Sequence, residues 1–248
     1  MMLIEGIILG ILIGLVLGTI GAGGAILAVP GLIAVMGLST VAATTSSLVI
    51  VGSAAVAGFI PRLKAKTVDV RLGLTFSALG ILGTYAGTQL VKVVPESVQV
   101  VLFASLMFGA AIAMWRGPVS ESNSEIKSQW PLVFGVATAI GVLTGLLGVG
   151  GGFLIVPALV LILKVPTKTA AGTSLVAIAS TSAIAFLMRI EYWGEIPVGP
   201  IAAFTLAAIV SSFIAAPFAG KLNARTLQKG FAIFVTFAAA FILITQGF

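Results

Sequence analysis

A run of glycines inside an uncharged apolar segment restricts this chain more than any other feature. The run is Gly145-Leu-Leu-Gly148-Val-Gly150-Gly151-Gly152-Phe-Leu-Ile-Val-Pro157. A near copy lies at an offset of 127 residues, from Gly18 to Gly145: Gly18-Thr-Ile-Gly21-Ala-Gly23-Gly24-Ala-Ile-Leu-Ala-Val-Pro30. Glycine at this density loosens a helix and bares its backbone. In lipid, bare backbone polar groups persist only where protein buries them or where they line a cavity. Two broken apolar segments at matching positions of two halves are the best pointer a sequence gives to a transporter's binding site.

The match extends well beyond the glycines. At the same offset Val29 pairs with Val156, Pro30 with Pro157, Ser47 with Ser174, Leu48 with Leu175, Phe59 with Phe186 and Arg62 with Arg189. Two inserted residues near Glu191–Glu195 then move the offset to 129, where Lys92 pairs with Lys221 and Gln99 with Gln228. A colinear set with a shared G-x-G-G-x(5)-P core indicates internal duplication, a common origin of transporters.

Charge settles the broad class. Of 248 residues, 59% are hydrophobic and only 8% are charged, against about 25% charged in a soluble domain. An integral membrane protein is expected, embedded in the lipid bilayer. The net charge of +6 does not indicate nucleic acid, because the basic residues gather in short loops between apolar runs, where they signal topology. There is no cysteine and no histidine. Their absence leaves no disulfide, no Ser–His or Cys–His chemistry, few transition-metal sites and no histidine proton relay. No cofactor is expected. Met1 to Glu5 lacks a basic n-region, so Leu3 to Ile20 reads as a first membrane helix rather than a signal peptide.

Apolar runs then succeed one another along the chain. Ala25 to Met36 and Phe153 to Leu163 are too short to span by themselves and are expected as half-helices or as return limbs packed in the protein, the alternative being full spans that begin before the glycines. Longer runs cover 41–60, 72–91, 95–115, 131–147, 169–188, 196–220 and 226–245. The expected fold is an all-α polytopic membrane protein of about eight to ten transmembrane helices or half-helices with Gly-broken segments. Its expected divisions are a first repeat over 1–116, a polar cytoplasmic linker over 117–130 and a second repeat over 131–248.

The basic residues orient the halves. With an odd number of crossings in each half the repeats are inverted, and one side receives Arg62, Lys64, Lys66, Arg71, Arg116, Lys127, Lys164, Lys168, Lys221, Arg225 and Lys229. The other side receives only Lys92 and Arg189. The positive-inside rule prefers this arrangement, which puts both termini outside the cytoplasm.

The membrane segments offer hydroxyls and glycine backbone rather than ionised groups. Thr44-Thr45-Ser46-Ser47 follows the first break, and Ala171-Gly172-Thr173-Ser174 follows the second. Helix N-termini with free N–H groups, joined by such hydroxyls, suit a compact oxyanion. Candidate substrate-binding residues are therefore Gly21, Gly23, Gly24, Thr45, Ser46 and Ser47 in the first half. Gly148, Gly150, Gly151, Gly152, Thr173 and Ser174 are their counterparts in the second. Against this stands the plain role of small residues in helix packing and of Ser/Thr in bonding back to their own helix. Tyr85, Thr88 and Gln89 are further polar candidates without polar counterparts. Arg62 and Arg189, at helix ends, are expected to snorkel to the interface.

The duplicated G-x-G-G-x(5)-P element, the A-x-G-T-S-L-V stretch of Ala170 to Val176 and the two-half plan resemble the TauE/SafE family of sulfite and organosulfonate exporters, over essentially the whole chain. The second half fits the pattern more closely; the first has Ala25 opposite Gly152 and Thr44-Thr45-Ser46 opposite Ala171-Gly172-Thr173. The resemblance implies movement of sulfite, sulfoacetate or a related small sulfur-containing anion across the plasma membrane. The residues alone indicate a small-anion transporter, with import or a channel for sulfate or thiosulfate as the alternative. An intramembrane enzyme with Ser47 or Ser174 as nucleophile lacks a visible base. A non-transporting subunit of a membrane complex is a third reading, and a homodimer is compatible with all of them.

Overall fold

The computed structural model describes residues 2–21, 24–90, 93–117, 130–147 and 152–245. Regular structure among them is helical: α1 (Met2–Ile20), α2 (Gly24–Met36), α3 (Thr40–Lys64), α4 (Val70–Leu90), α5 (Glu96–Arg116), α6 (Trp130–Leu147), α7 (Gly152–Pro157), α8 (Thr167–Met188), α9 (Val198–Lys221) and α10 (Ala224–Thr245). A wider π turn, Ala158–Ile162, prolongs α7, and a 3₁₀ segment, Ile190–Glu195, joins α8 to α9. Apolar runs form helices here because a helix satisfies its own backbone without water. Hydroxyls embedded in them bond to their own helix, as Thr75 does to the Arg71 carbonyl and Thr205 to the Ile201 carbonyl.

The outer surface is greasy: Leu82, Val198 and Phe237 are among many large apolar side chains left exposed. Leu17, Leu32, Ile50, Met107, Phe204 and Phe231 are buried inside the bundle. Helices α3, α8 and α9 are each long and apolar enough to cross a membrane by length and composition. An apolar exterior around an apolar core identifies an all-α polytopic membrane protein.

The short limbs fold back as the sequence indicates. Helix α2 has 13 residues, about 20 Å of rise against a hydrocarbon core of roughly 30 Å. It returns along α1 in the opposite direction, with Gly24 beside Ile13 and Leu17, Gly31 beside Leu9, and Met36 beside Gly6. Its end is a left-handed cap: Gly37 has φ +63° and the Leu38 N–H reaches the Leu32 carbonyl at 3.4 Å. The limb built by α7 and the π turn ends the same way. Lys164 has φ +55°, and the Val165 N–H donates to the Leu159 carbonyl at 2.8 Å. The two caps sit 127 positions apart and use the same bond, from an N–H to the carbonyl six residues back.

Glycine seams join helices that are distant in sequence. Along α1, a methyl group at Gly10, Gly14 or Gly18 would collide with the α9 backbone at Phe204, Ala208 or Ser212 respectively. Along α4, one at Gly83 or Gly87 would collide with the α6 carbonyls of Thr138 or Val142. In both seams residue numbers rise together, so the paired helices run parallel. Small residues let the backbones approach within ordinary van der Waals range. By contrast α3 and α8 cross in opposite senses, with Gly52 against Ser182 and Gly58 against Leu175.

Candidate functional site

Helices α3, α4, α6 and α8, with Val29 of α2 and the start of α7, surround a partly open cavity of about 380 Å³. Helix α3 contributes Thr44, Ser47, Leu48 and Val51, and α8 contributes Ala177, Thr181 and Ser182. Helix α4 adds Ser77, Gly80 and Thr84; α6 adds Ile140 and Thr144; Gly152 opens α7 at the wall. Tyr85, Thr88, Met188 and Arg189 line it near the C-terminal ends of α4 and α8. Arg189 is the one ionised side chain among these lining residues, and no carboxylate is among them.

The hydroxyls of the wall are largely spent within their own helices. Thr44 donates to the Thr40 carbonyl, Ser47 to the Thr44 carbonyl at 2.8 Å, Thr144 to the Ile140 carbonyl at 2.7 Å and Thr181 to the Ala177 carbonyl at 2.8 Å. Each oxygen still presents lone pairs, and its proton can turn toward an incoming acceptor by giving up the helix carbonyl.

Among the sequence candidates, Ser47 and Gly152 reach the cavity. The others that are described lie behind it. Thr45 is wholly buried and donates to the Val41 carbonyl. Ser46 is wholly buried, and its hydroxyl has no partner among the described residues. Thr173 accepts a hydrogen bond from the Asp69 N–H at 2.9 Å. The Ser174 hydroxyl lies 3.1 Å from the Gly21 carbonyl and 3.0 Å from that of Ala171, donating to the pair. Gly21 itself has φ +93°, and a methyl group there would collide with the Ala171 carbonyl, so only glycine fits. Gly24 is wedged against the Ile13 carbonyl and Leu17. Gly23, Gly148, Gly150 and Gly151 lie outside the described residues. Of the asymmetric polar candidates, Tyr85 and Thr88 line the cavity; Gln89 does not.

The expectation that both arginines snorkel is corrected at Arg62. This side chain is only 4% exposed. Its guanidinium donates to the carbonyls of Gly18 and Thr19 at 2.7 and 2.8 Å, two of the unpaired acceptors at the end of α1. Burial is offset by these charge-assisted bonds to a helix C-terminus that carries partial negative charge. Arg189, the repeat counterpart, instead stands at the cavity. The duplicated arginine was the available signal for both roles; its spacing identified a pair but not its partners.

An all-helical membrane bundle with broken limbs and a partly open cavity, whose largely apolar wall carries hydroxyls, has the build of a membrane transporter for a small molecule. The chain belongs to the Sulfite exporter TauE/SafE family, whose model matches residues 6–242. A probable membrane transporter protein of Xylella fastidiosa (strain 9a5c) is 34% identical over 183 residues, covering 72% of this chain and 70% of its own. The probable membrane transporter protein YunE of Bacillus subtilis (strain 168) is 28% identical over 197 residues, 68% of this chain and 71% of its own. The probable membrane transporter protein MJ0441 of Methanocaldococcus jannaschii is 27% identical over 184 residues, 71% and 68% of the respective chains. No solved structure matches the chain significantly.

Proposed function

We propose that this protein exports a small sulfur-containing anion, such as sulfite or an organosulfonate like sulfoacetate, across the plasma membrane. The observation that carries the reading is the cavity, whose lining holds hydroxyls and one cation, Arg189, and no carboxylate. A carboxylate would repel an anion there, and a buried full positive charge would hold it too tightly to release. Hydroxyls and a partly exposed guanidinium supply several donors to a compact oxyanion and let it go.

In this reading the substrate meets Ser47 and the Gly152 end of α7, and Gly148, Gly150 and Gly151 contribute to binding it. Thr45, Ser46, Thr173, Ser174, Gly21, Gly23 and Gly24 join the site as the chain changes conformation. Residues 1–116 and 131–248 act as inverted repeats joined by a cytoplasmic linker over 117–130, with both termini outside. The opposite senses of α3 and α8, which are repeat counterparts, support the inversion. Family membership supports the substrate class. An inside-negative potential drives anion exit by about 2.3 kcal/mol per charge per 100 mV, so an uncoupled path exports.

The test is flux into proteoliposomes holding the purified chain, with sulfite, sulfate, thiosulfate and sulfoacetate as substrates and a potassium–valinomycin clamp. Sulfite or sulfoacetate moving with the clamped potential is expected. Preference for sulfate or thiosulfate overturns the substrate assignment. Sulfite flux that ignores the potential and follows a pH gradient overturns the uncoupled path.

A further inference from the structure

The repeat counterparts of this bundle are not in equal states, and the inequality falls at one set of positions. Near the C-terminal end of α3 the structure is sealed. Arg62 bonds the Gly18 and Thr19 carbonyls, Thr173 accepts from the Asp69 N–H, and Ser174 bonds the Gly21 carbonyl. Shifted by 127 positions, the same residues are Arg189, Gly145, Leu146, Ser46, Ser47 and Gly148. There, among the described residues, Arg189 and Ser46 lack the corresponding bonds, and Gly148 lies outside the described residues. Arg189 lines the cavity instead of capping α6, Ser47 faces the cavity, and the Ser46 hydroxyl, wholly buried, has no partner. Leu48 lines the cavity while its counterpart Leu175 is wholly buried.

We infer that Arg62 and Arg189 are alternating latches: Arg62 now locks the end of α1 and closes one side, and when the chain switches, Arg189 locks the end of α6 while Arg62 lets go. The inference rests on the inverted-repeat carrier reading. In the switched state the Arg189 guanidinium donates to the carbonyls of Gly145 and Leu146. The Ser46 hydroxyl accepts from a backbone N–H of the segment after α8, as Thr173 does from Asp69. The cavity beside Ser47 then closes, and an equivalent one opens beside Ser174. Two unrelated loose ends, an unpartnered buried hydroxyl and an arginine withdrawn from a helix end, are both accounted for by one exchange of partners. An exported anion neutralises Arg189 at the outward-facing cavity, and once it has left, that guanidinium is free to turn to the α6 carbonyls. Arg189 is thus a positioning residue for the switch as well as the last cation the substrate meets.

Single cysteines in this cysteine-free chain test the exchange without any substrate. Leu48→Cys reports the side now open and Leu175→Cys the side now closed, each labelled by an impermeant maleimide from the outer or the cytoplasmic face. Arg189→Gln removes one latch, so labelling at 175 from the cytoplasmic face should fall about tenfold, the population change that loss of one charge-assisted hydrogen bond produces. Labelling at 48 from outside should hold or rise. Arg62→Gln should do the reverse; because that side chain is buried, the Arg189→Gln arm decides alone where Arg62→Gln does not accumulate. Unchanged rates in Arg189→Gln, equal slowing at both positions, or a position 175 that never labels from the cytoplasmic face overturns the inference. A wrong substrate leaves these rates untouched and shows only in the flux assay. A wrong orientation of the halves shows separately, as Lys66→Cys labelled on intact cells, and removes the footing of the latch too.

Discussion

The Ser174 hydroxyl lies 3.1 Å from the carbonyl of Gly21, a contact across 153 positions that ties one glycine break to the helix following the other. Gly21 has a left-handed backbone, and the Ala171 carbonyl occupies the space a Cβ would need. A side chain at this position meets strain and collision together. Gly21→Ala should lose most folded protein, read as recovery of a monodisperse species in mild detergent. Ser174→Ala should fold and melt at slightly lower temperature, by about 1 kcal/mol for one hydrogen bond. Equal behaviour of the two variants would show that the contact does not organise the break.

Arg62→Ala leaves the Gly18 and Thr19 carbonyls buried without a donor. The expected cost is about 2–3 kcal/mol, as for hydrogen bonds to a charged group, seen as a large drop in melting temperature. Arg62→Lys should recover part of it, since one ammonium can reach a carbonyl but lacks the planar fork. An Arg62→Ala protein that melts like the parent would return this residue to the interface.

Ser47 and Ser174 occupy the same place in their repeats, yet only Ser47 faces the cavity. Ser47→Ala should raise the KM for the transported anion by about tenfold or more, in line with 1.5–3 kcal/mol for a bond to a charged group. Ser174→Ala should alter KM less than Ser47→Ala. Gly152→Leu should fill the cavity wall and abolish flux while the protein still reaches the membrane. Normal flux in Gly152→Leu would move the site elsewhere.

The backbone plan was legible because it rests on period and punctuation. The apolar runs gave the helices, the glycine runs gave the breaks, and the length of 25–36 gave a limb that could not span. The left-handed caps at Gly37 and Lys164 were half visible: glycine announces such a cap, lysine does not, and only the repeat links them. The site was less legible. Thr45 and Ser46 look as available as Ser47 in the sequence, but a helix turns each by about 100°, and only some of them turn to the cavity. Arg62 was misread because a cation at a helix end commonly reaches for water. Its partners, the unpaired end carbonyls of α1, come from 44 and 43 residues away.

Topology has its own check. Cysteines at Lys66 and at Ser122 are expected to resist an impermeant maleimide on intact cells, while cysteines at Glu96, Glu191 and Phe248 should react. Ser122 and Phe248 lie outside the described residues, so labelling there reads the membrane side alone. Strong labelling at 66 or 122 from outside would reverse the assigned orientation.

The glycine seams bear on how the protein is made. Helix α1 leaves the ribosome well before the partner shaped to its Gly10, Gly14 and Gly18, which is α9 and begins at Val198. At ordinary synthesis rates that separation is on the order of ten to forty seconds. Through that interval α1 sits in the bilayer with only its return limb and α3 for company, its narrowest face turned to lipid. Assembly of this bundle therefore has to be late, and any agent that shields small-residue helices during membrane insertion would find its substrate here in α1.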